Sequence, residues 1–165
     1  MKRLLILSDT HLAEDVALPA EVTDLAKDCD GVIHAGDVVT PGALAKVQAL
    51  GPATVVRGNM DHPALKRLLP EVAEVTVEGV KIGVIHGWGG PQGIVQRILP
   101  KVQDQGFDVV VYGHSHQPDI SGTDGILFIN PGSPTDQRCA PYCSAAILEV
   151  ADGAVVDARI VKIGR

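Results

Sequence analysis

Short apolar runs alternate with helical patterns over the first two thirds of the chain. Lys2–Leu7, Gly31–Ile33, Thr54–Val56, Lys81–Ile85 and Phe107–Tyr112 are rich in Val, Ile and Leu and too short for helices, so they read as buried strands. Between them apolar residues fall on one helical face: Leu18, Val22, Leu25 and Ala26, with Pro19 opening the turn, then Leu44, Val47 and Leu50 between Pro41 and Gly51. Asp61-His62-Pro63 reads as a helix start, with Asp61 either its N-cap or a residue that orients a group behind the functional side chains. Ile94, Val95, Ile98, Leu99 and Val102 form a further face, which Pro100 should kink or split into two short helices.

The last third changes period. Ile126–Asn130, Ala145–Val150 and Val155–Ile163 read as strands with no helical pattern between them, and Asp152-Gly153 joins the last two as a hairpin. Glu78-Gly79 gives the same signal between Val72–Val77 and Lys81–Ile85. A chain that is βαβα early and antiparallel late fits two sheets packed face to face with helices outside.

The strand ends carry the chemistry. Lys2–Leu7 leads to Asp9 and His11, Gly31–Ile33 to His34 and Asp37, and Thr54–Val56 to Asn59 and Asp61. Lys81–Ile85 leads to His86, and Phe107–Tyr112 to His114 and His116. In open α/β sheets the functional crevice lies beyond the carboxyl ends of the strands. Were these runs neighbouring parallel strands, Asp9, His11, Asp37, Asn59, His86, His114 and His116 would meet at one sheet edge. Carboxylate, amide oxygen and imidazole without thiolate suit Mn, Fe, Zn, Co or Ni and do not suit Ca or an iron–sulfur cluster. Seven ligands are too many for one ion and suit two that share a carboxylate.

Composition narrows the setting. The chain has 165 residues, enough for one domain over residues 1–165, and is 45% hydrophobic but only 3% aromatic, so aliphatic side chains must fill the core. A net charge of -6 without a Lys/Arg run argues against a nucleic-acid partner. Cys29, Cys139 and Cys143 form no disulfide framework, and Cys139 and Cys143 read as buried or half-buried thiols, since no second ligand pair completes a zinc site. No segment reads as a signal peptide or membrane span, so a cytoplasmic setting is expected.

The ordered set Asp9-x-His11, Gly36-Asp37, Gly58-Asn59, His86-Gly87 and Gly113-His114-x-His116 resembles the calcineurin-like metallophosphoesterases. Asn130-Pro131-Gly132-Ser133 and the lack of long insertions resemble the small phosphodiesterase branch of that family. The resemblance runs from Asp9 to about Arg138 and implies a four-layer α/β/β/α sandwich of two mixed sheets. It further implies that Asp9, His11 and His116 hold one divalent ion, that Asn59, His86 and His114 hold a second, and that Asp37 bridges them. Mn²⁺ is the first expectation, with Ni²⁺, Fe, Zn²⁺ and Co²⁺ also compatible. The implied activity is hydrolysis of phosphodiesters, extending to phosphomonoesters, with a bridging hydroxide as nucleophile. The implied partners are a small phosphoester substrate and, as in similar small enzymes, copies of the chain in a homo-oligomer. The runner-up is a non-catalytic protein-binding scaffold of this fold, like the small retromer subunit, which departs from the ligand pattern at several positions.

One departure concerns the proton donor. The larger family often carries a His after Gly-Asn as general acid, and here that position is Met60. His62 is the nearest replacement, its alternative role being an exposed first-turn residue. Asn59 and Arg138 are candidate substrate contacts, Arg138 through its bidentate fork. His34 and Arg57 read as structural, and Trp88 as a pocket wall or an interface residue.

Overall fold

The computed structural model describes residues 1–164. Ten strands form two five-stranded mixed sheets. In the first, β1 (Lys2–Leu7), β2 (Gly31–His34) and β3 (Ala53–Val55) run parallel, β9 (Cys143–Ala151) pairs antiparallel with β1, and β10 (Ala154–Ile163) pairs antiparallel with β9, in the order β10-β9-β1-β2-β3. The second has β4 (Val72–Val77), β5 (Val80–Ile85), β6 (Val109–Val111), β7 (Asp119–Thr123) and β8 (Ile126–Asn130) in the order β4-β5-β6-β8-β7, with β5, β6 and β8 parallel.

Strand alternation sorts the layers. On β1, Leu5 and Leu7 face α1 (Ala20–Lys27), α2 (Pro41–Gln48) and α3 (Pro63–Leu68) in a core shared with Val22, Leu44 and Leu65. Leu4 and Ile6 face the other way and meet Ile82, Val84, Val109 and Val111 between the sheets. The outer face of the second sheet packs Val110 and Phe128 against Ile94, Ile98 and Val102 of α4 (Ile94–Val102). The result is the α/β/β/α sandwich expected from the sequence, in a single α/β domain. No helix among the described residues is long and apolar enough to cross a membrane.

Four sequence expectations need correction. The parallel strands belong to two sheets, so the polar strand ends face one another across the sandwich instead of lining one sheet edge. Pro100 does not divide α4, which runs unbroken through it. It lies in the last turn, where only the bond to Gln96 is forfeited, and Ile98 and Val102 hold the helix on the sheet. The N-cap of α3 is His62, whose Nδ1 accepts from Ala64 N at 3.2 Å, and not Asp61. Finally, β7 carries Asp119, Ser121 and Gly122 and gave no strand pattern; it is an edge strand held by pairing with β8.

Candidate metal centre

Five strand-end loops converge on one point. Asp9 and His11 follow β1, Asp37 follows β2, Asn59 follows β3, His86 follows β5, and His114 and His116 follow β6. Two glycines permit the approach. A Cβ on Gly58 would lie 2.1 Å from Asp37 Oδ1, and one on Gly113 would lie 1.9 Å from Ser8 Oγ and 2.6 Å from Asp9 Oδ2. The Gly58 clash includes the Asp37 backbone nitrogen at 2.5 Å and could not be relieved without parting the loops.

Each carboxylate is held by one oxygen and offers the other. Asp9 Oδ2 accepts from Ser8 Oγ at 2.7 Å and from His114 N at 2.9 Å. Asp9 Oδ1 is buried with no hydrogen-bond partner and lies 3.4 Å from His116 Nε2, 3.8 Å from His11 Nε2 and 3.9 Å from His86 Nε2. Asp37 Oδ1 accepts from Met60 N at 2.8 Å, while Oδ2 lies 3.4 Å from His11 Nε2 and 3.3 Å from His86 Nε2. Asp37 therefore sits between two groups of rings.

The rings are aimed from behind. His86 Nδ1 donates to Ala35 O at 2.7 Å, which turns Nε2 into the cluster, 3.0 Å from Asn59 Oδ1. His114 Nε2 donates to Gly89 O at 2.9 Å, which turns Nδ1 inward to 3.2 Å from Asn59 Oδ1 and 3.3 Å from His86 Nε2. His116 Nδ1 lies 3.1 Å from Asp136 Oδ2, in ion-pair range but out of line for a hydrogen bond.

Electrostatics follow from this packing. Burial alone would raise the Asp9 and Asp37 carboxyls, but the surrounding imidazoles outweigh it and hold both well below the ordinary range. Burial works against a charge on His11, yet Asp37 and Asp9 push its pKa up to about 9. His86 is raised as well, burial being outweighed by Asp37 and Asp9. His34, buried behind the cluster, goes the other way: burial lowers it to about 4. Its Nδ1 accepts from Gly36 N at 3.1 Å, and its Nε2 lies 3.2 Å from Thr10 Oγ1.

The donor atoms of Asp9, His11 and His116 all lie within 4.8 Å of one another, and so do those of Asp9, Asp37 and His86. Two buried polar atoms pointing inward without partners, Asp9 Oδ1 and His11 Nε2, are what a cation would satisfy. Mixed carboxylate and imidazole donors fit a divalent transition metal.

The structure thus brings all seven sequence-predicted ligands together. It places the other candidates elsewhere. His62 is exposed at the start of α3. Arg138 is 81% exposed, its Nε and Nη2 on the carboxylate of Asp136 at 3.0 and 2.7 Å. The Met60 side chain is exposed, and only its backbone N–H serves the cluster.

Several supporting residues stand behind the cluster, among them Asp61 in the orienting role the sequence left open beside helix capping. Asp61 is buried and ties two loops, accepting from Val39 N and Gly58 N, each at 2.7 Å. Ser133 Oγ donates to Asp9 O at 2.8 Å, and Asn130 Nδ2 donates to Ser115 Oγ at 2.9 Å, so the Asn-Pro-Gly-Ser motif did contain a signal. Asp136, whose carboxyl the Arg138 guanidinium holds well below its usual range, had none.

Comparison with known proteins fits this geometry. The sequence profile of the calcineurin-like phosphoesterase superfamily domain matches residues 1–153. A probable metallophosphoesterase of Methanothermobacter thermautotrophicus is 34% identical over 161 residues, spanning 96% of this chain and 91% of the relative. A phosphodiesterase of Methanocaldococcus jannaschii is 28% identical over 141 residues, 77% of this chain and 81% of that one. The zinc complex of Vps29 from Entamoeba histolytica covers 97% of this chain and 98% of its own at a TM-score of 0.71 and 22% identity, a likeness of fold alone.

Proposed function

The chain belongs to the calcineurin-like phosphoesterase superfamily, and from that membership we propose that it is a two-metal-dependent hydrolase of phosphodiesters that also accepts phosphomonoesters. The observation that carries the reading is the pair of half-used carboxylates, Asp9 and Asp37, set among four inward-facing imidazoles. Asp9, His11 and His116 would hold one ion, Asn59, His86 and His114 a second, and Asp37 would touch both. Mn²⁺ is the proposed metal, with Ni²⁺, Fe, Zn²⁺ or Co²⁺ compatible with the same donors. Bound there, such ions supply Lewis acidity toward phosphoryl oxygens and activate water near neutral pH.

The chain's own residues do the rest. Ala35 O and Gly89 O fix the tautomers of His86 and His114, so both rings present a lone pair without reorientation. Asn59 turns its Oδ1 toward His86 and His114, and its amide nitrogen is the proposed contact for a phosphoryl oxygen. Arg138 would have to exchange Asp136 for substrate to make the second contact. His62 is the proposed proton donor. Its Nδ1 accepts a backbone hydrogen bond, which leaves Nε2 to carry the proton, and the side chain would have to approach the cluster from its exposed place at the start of α3 to deliver it.

The complete ligand set favours this reading over a protein-binding scaffold. Chelator-treated protein should show no turnover of bis(p-nitrophenyl) phosphate and regain it with Mn²⁺ or Ni²⁺. Folded, metal-loaded protein that cleaves neither aryl phosphodiesters nor monoesters would overturn the reading.

A further inference from the structure

A cavity of about 400 Å³ opens beside the ligand cluster. Asn59 and His86 line one side of it, so it borders the place where a phosphoester would be held. Arg57, Lys66, Trp88 and Lys101 line the rest, and Glu71 is the sole carboxylate among the lining residues. Lys101 is tightly paired with Glu71, and Arg57 Nη2 lies 3.8 Å from the same carboxylate. Lys66 makes no ion pair among the described residues. Three cationic side chains against one carboxylate leave a local positive excess on a chain whose net charge is -6.

The far wall is fixed in advance. Lys101 Nζ lies over the Trp88 ring at 5.0 Å. The Arg97 guanidinium donates to Trp88 O at 2.8 Å, to Gln92 O at 2.9 Å and to Gly90 O, gathering the β5–α4 loop onto α4. His114 Nε2 anchors the same loop at Gly89 O. A ligand entering the pocket therefore finds its aromatic wall already ordered and tied to a metal-site residue, which reduces the entropic cost of binding.

We propose that this pocket is a second anion site, which selects among phosphoesters those whose other end bears a carboxylate or phosphate. The inference rests on the phosphoesterase reading and adds a substrate class to it. An ester with a neutral remainder leaves Lys66 unpaired and Lys101 on Glu71, and gains nothing from them. A charged remainder gains charge-assisted contacts from Lys66 and from Lys101, whose ammonium turns from Glu71 toward the ligand while Arg57 stays beside that carboxylate.

Trp88 is the chain's sole tryptophan, so its fluorescence reports occupancy of the pocket without turnover. The probes are 3-phosphoglycerate and glycerol 3-phosphate, which differ by a carboxylate in place of a hydroxymethyl group, titrated into the zinc-loaded full chain. Wild type should bind 3-phosphoglycerate about ten-fold more tightly, the effect of one charge-assisted contact. A Lys66→Gln/Lys101→Gln double variant, checked for folding by circular dichroism, should lose that preference. Equal affinities in wild type, or a preference that survives the double substitution, would overturn the proposal. Bis(p-nitrophenyl) phosphate turnover is measured on the same preparation. If turnover fails while the Trp88 preference holds, the phosphoesterase reading falls and the anion site stands.

Discussion

Left-handed backbone occurs at both ends of the sandwich. At one end Glu78, Asp124 and Asp152 have φ of 51°, and each is followed by a glycine with φ between 77° and 81°. These are two-residue turns of type I′, joining β4 to β5, β7 to β8 and β9 to β10. At the other end Asp9, His11, Asp37, His114 and His116 have φ between 44° and 70°, and none sits in a hairpin. Long-range hydrogen bonds hold several of them: Asp9 N to Gly36 O, His11 N to Asp37 O, and His114 N to Asp9 Oδ2. The hairpins adopt this conformation because local sequence permits it. The ligand loops adopt it because tertiary contacts impose it, and Asp and His are the non-glycine residues that best tolerate it while also binding metal.

The largest effect expected at the ligand end is on metal binding. Asp37→Asn removes the charge between His11 and His86 but keeps the shape. Metal content after dialysis, measured by elemental analysis, should drop, and diesterase turnover should fall by roughly 100-fold or more. Metal content unchanged by the substitution would show that Asp9 organises the cluster without Asp37.

The loop clamp comes next. Val39 has φ of 83°, unusual for a β-branched residue, and its N–H donates to Asp61. Asp61→Ala would leave Val39 N and Gly58 N without their acceptor inside the protein. The expected cost is about 2–4 kcal/mol in urea unfolding, with weaker metal binding as the loops of β2 and β3 separate. A loss under about 0.5 kcal/mol would mean these loops stand without tertiary support, as the hairpins do.

A third test uses pH on chelator-treated protein. His34 is lowered by burial to about 4, below its unfolded value of 6.5, so the unfolded chain binds the proton first. Its contribution is complete above pH 6.5 and is lost as pH falls toward 4, up to about 3 kcal/mol. His11 is raised to about 9, so its contribution is complete below pH 6.5 and is lost as pH rises through 9. Unfolding free energy should therefore peak near pH 6.5 and decline on both sides, and His34→Asn should flatten the acid limb. An unchanged acid limb would remove His34 from this account.

The same contrast explains what the sequence disclosed. Strands and hairpins were legible because Val/Ile/Leu periodicity and Glu78-Gly79 or Asp152-Gly153 act over a few residues. The seven cluster residues were legible because each closes a strand and their order matches a family. Asp61 was legible only as a choice between two roles, because Asp before His-Pro is a local capping signal while its carboxylate serves Val39, 22 positions away. Asp136 lies 20 positions from His116 with nothing in its neighbourhood to mark it, and β7 carries too few apolar residues to show a period. Position across the sandwich, not residue type, decides these roles.

The smallest effect belongs to the hairpin end. Glu78 holds φ of 51° with a side chain less suited to that region than Asn, which type I′ turns prefer before glycine. Glu78→Asn keeps the backbone carbonyl that accepts from Gly153 N, so the contact between the two sheets' turns survives. The variant should gain about 0.5 kcal/mol in urea unfolding, with metal content unchanged. Any loss of metal from this position would mean that strain at the two ends is coupled through the strands, and the separation drawn between permitted and imposed backbone would not hold.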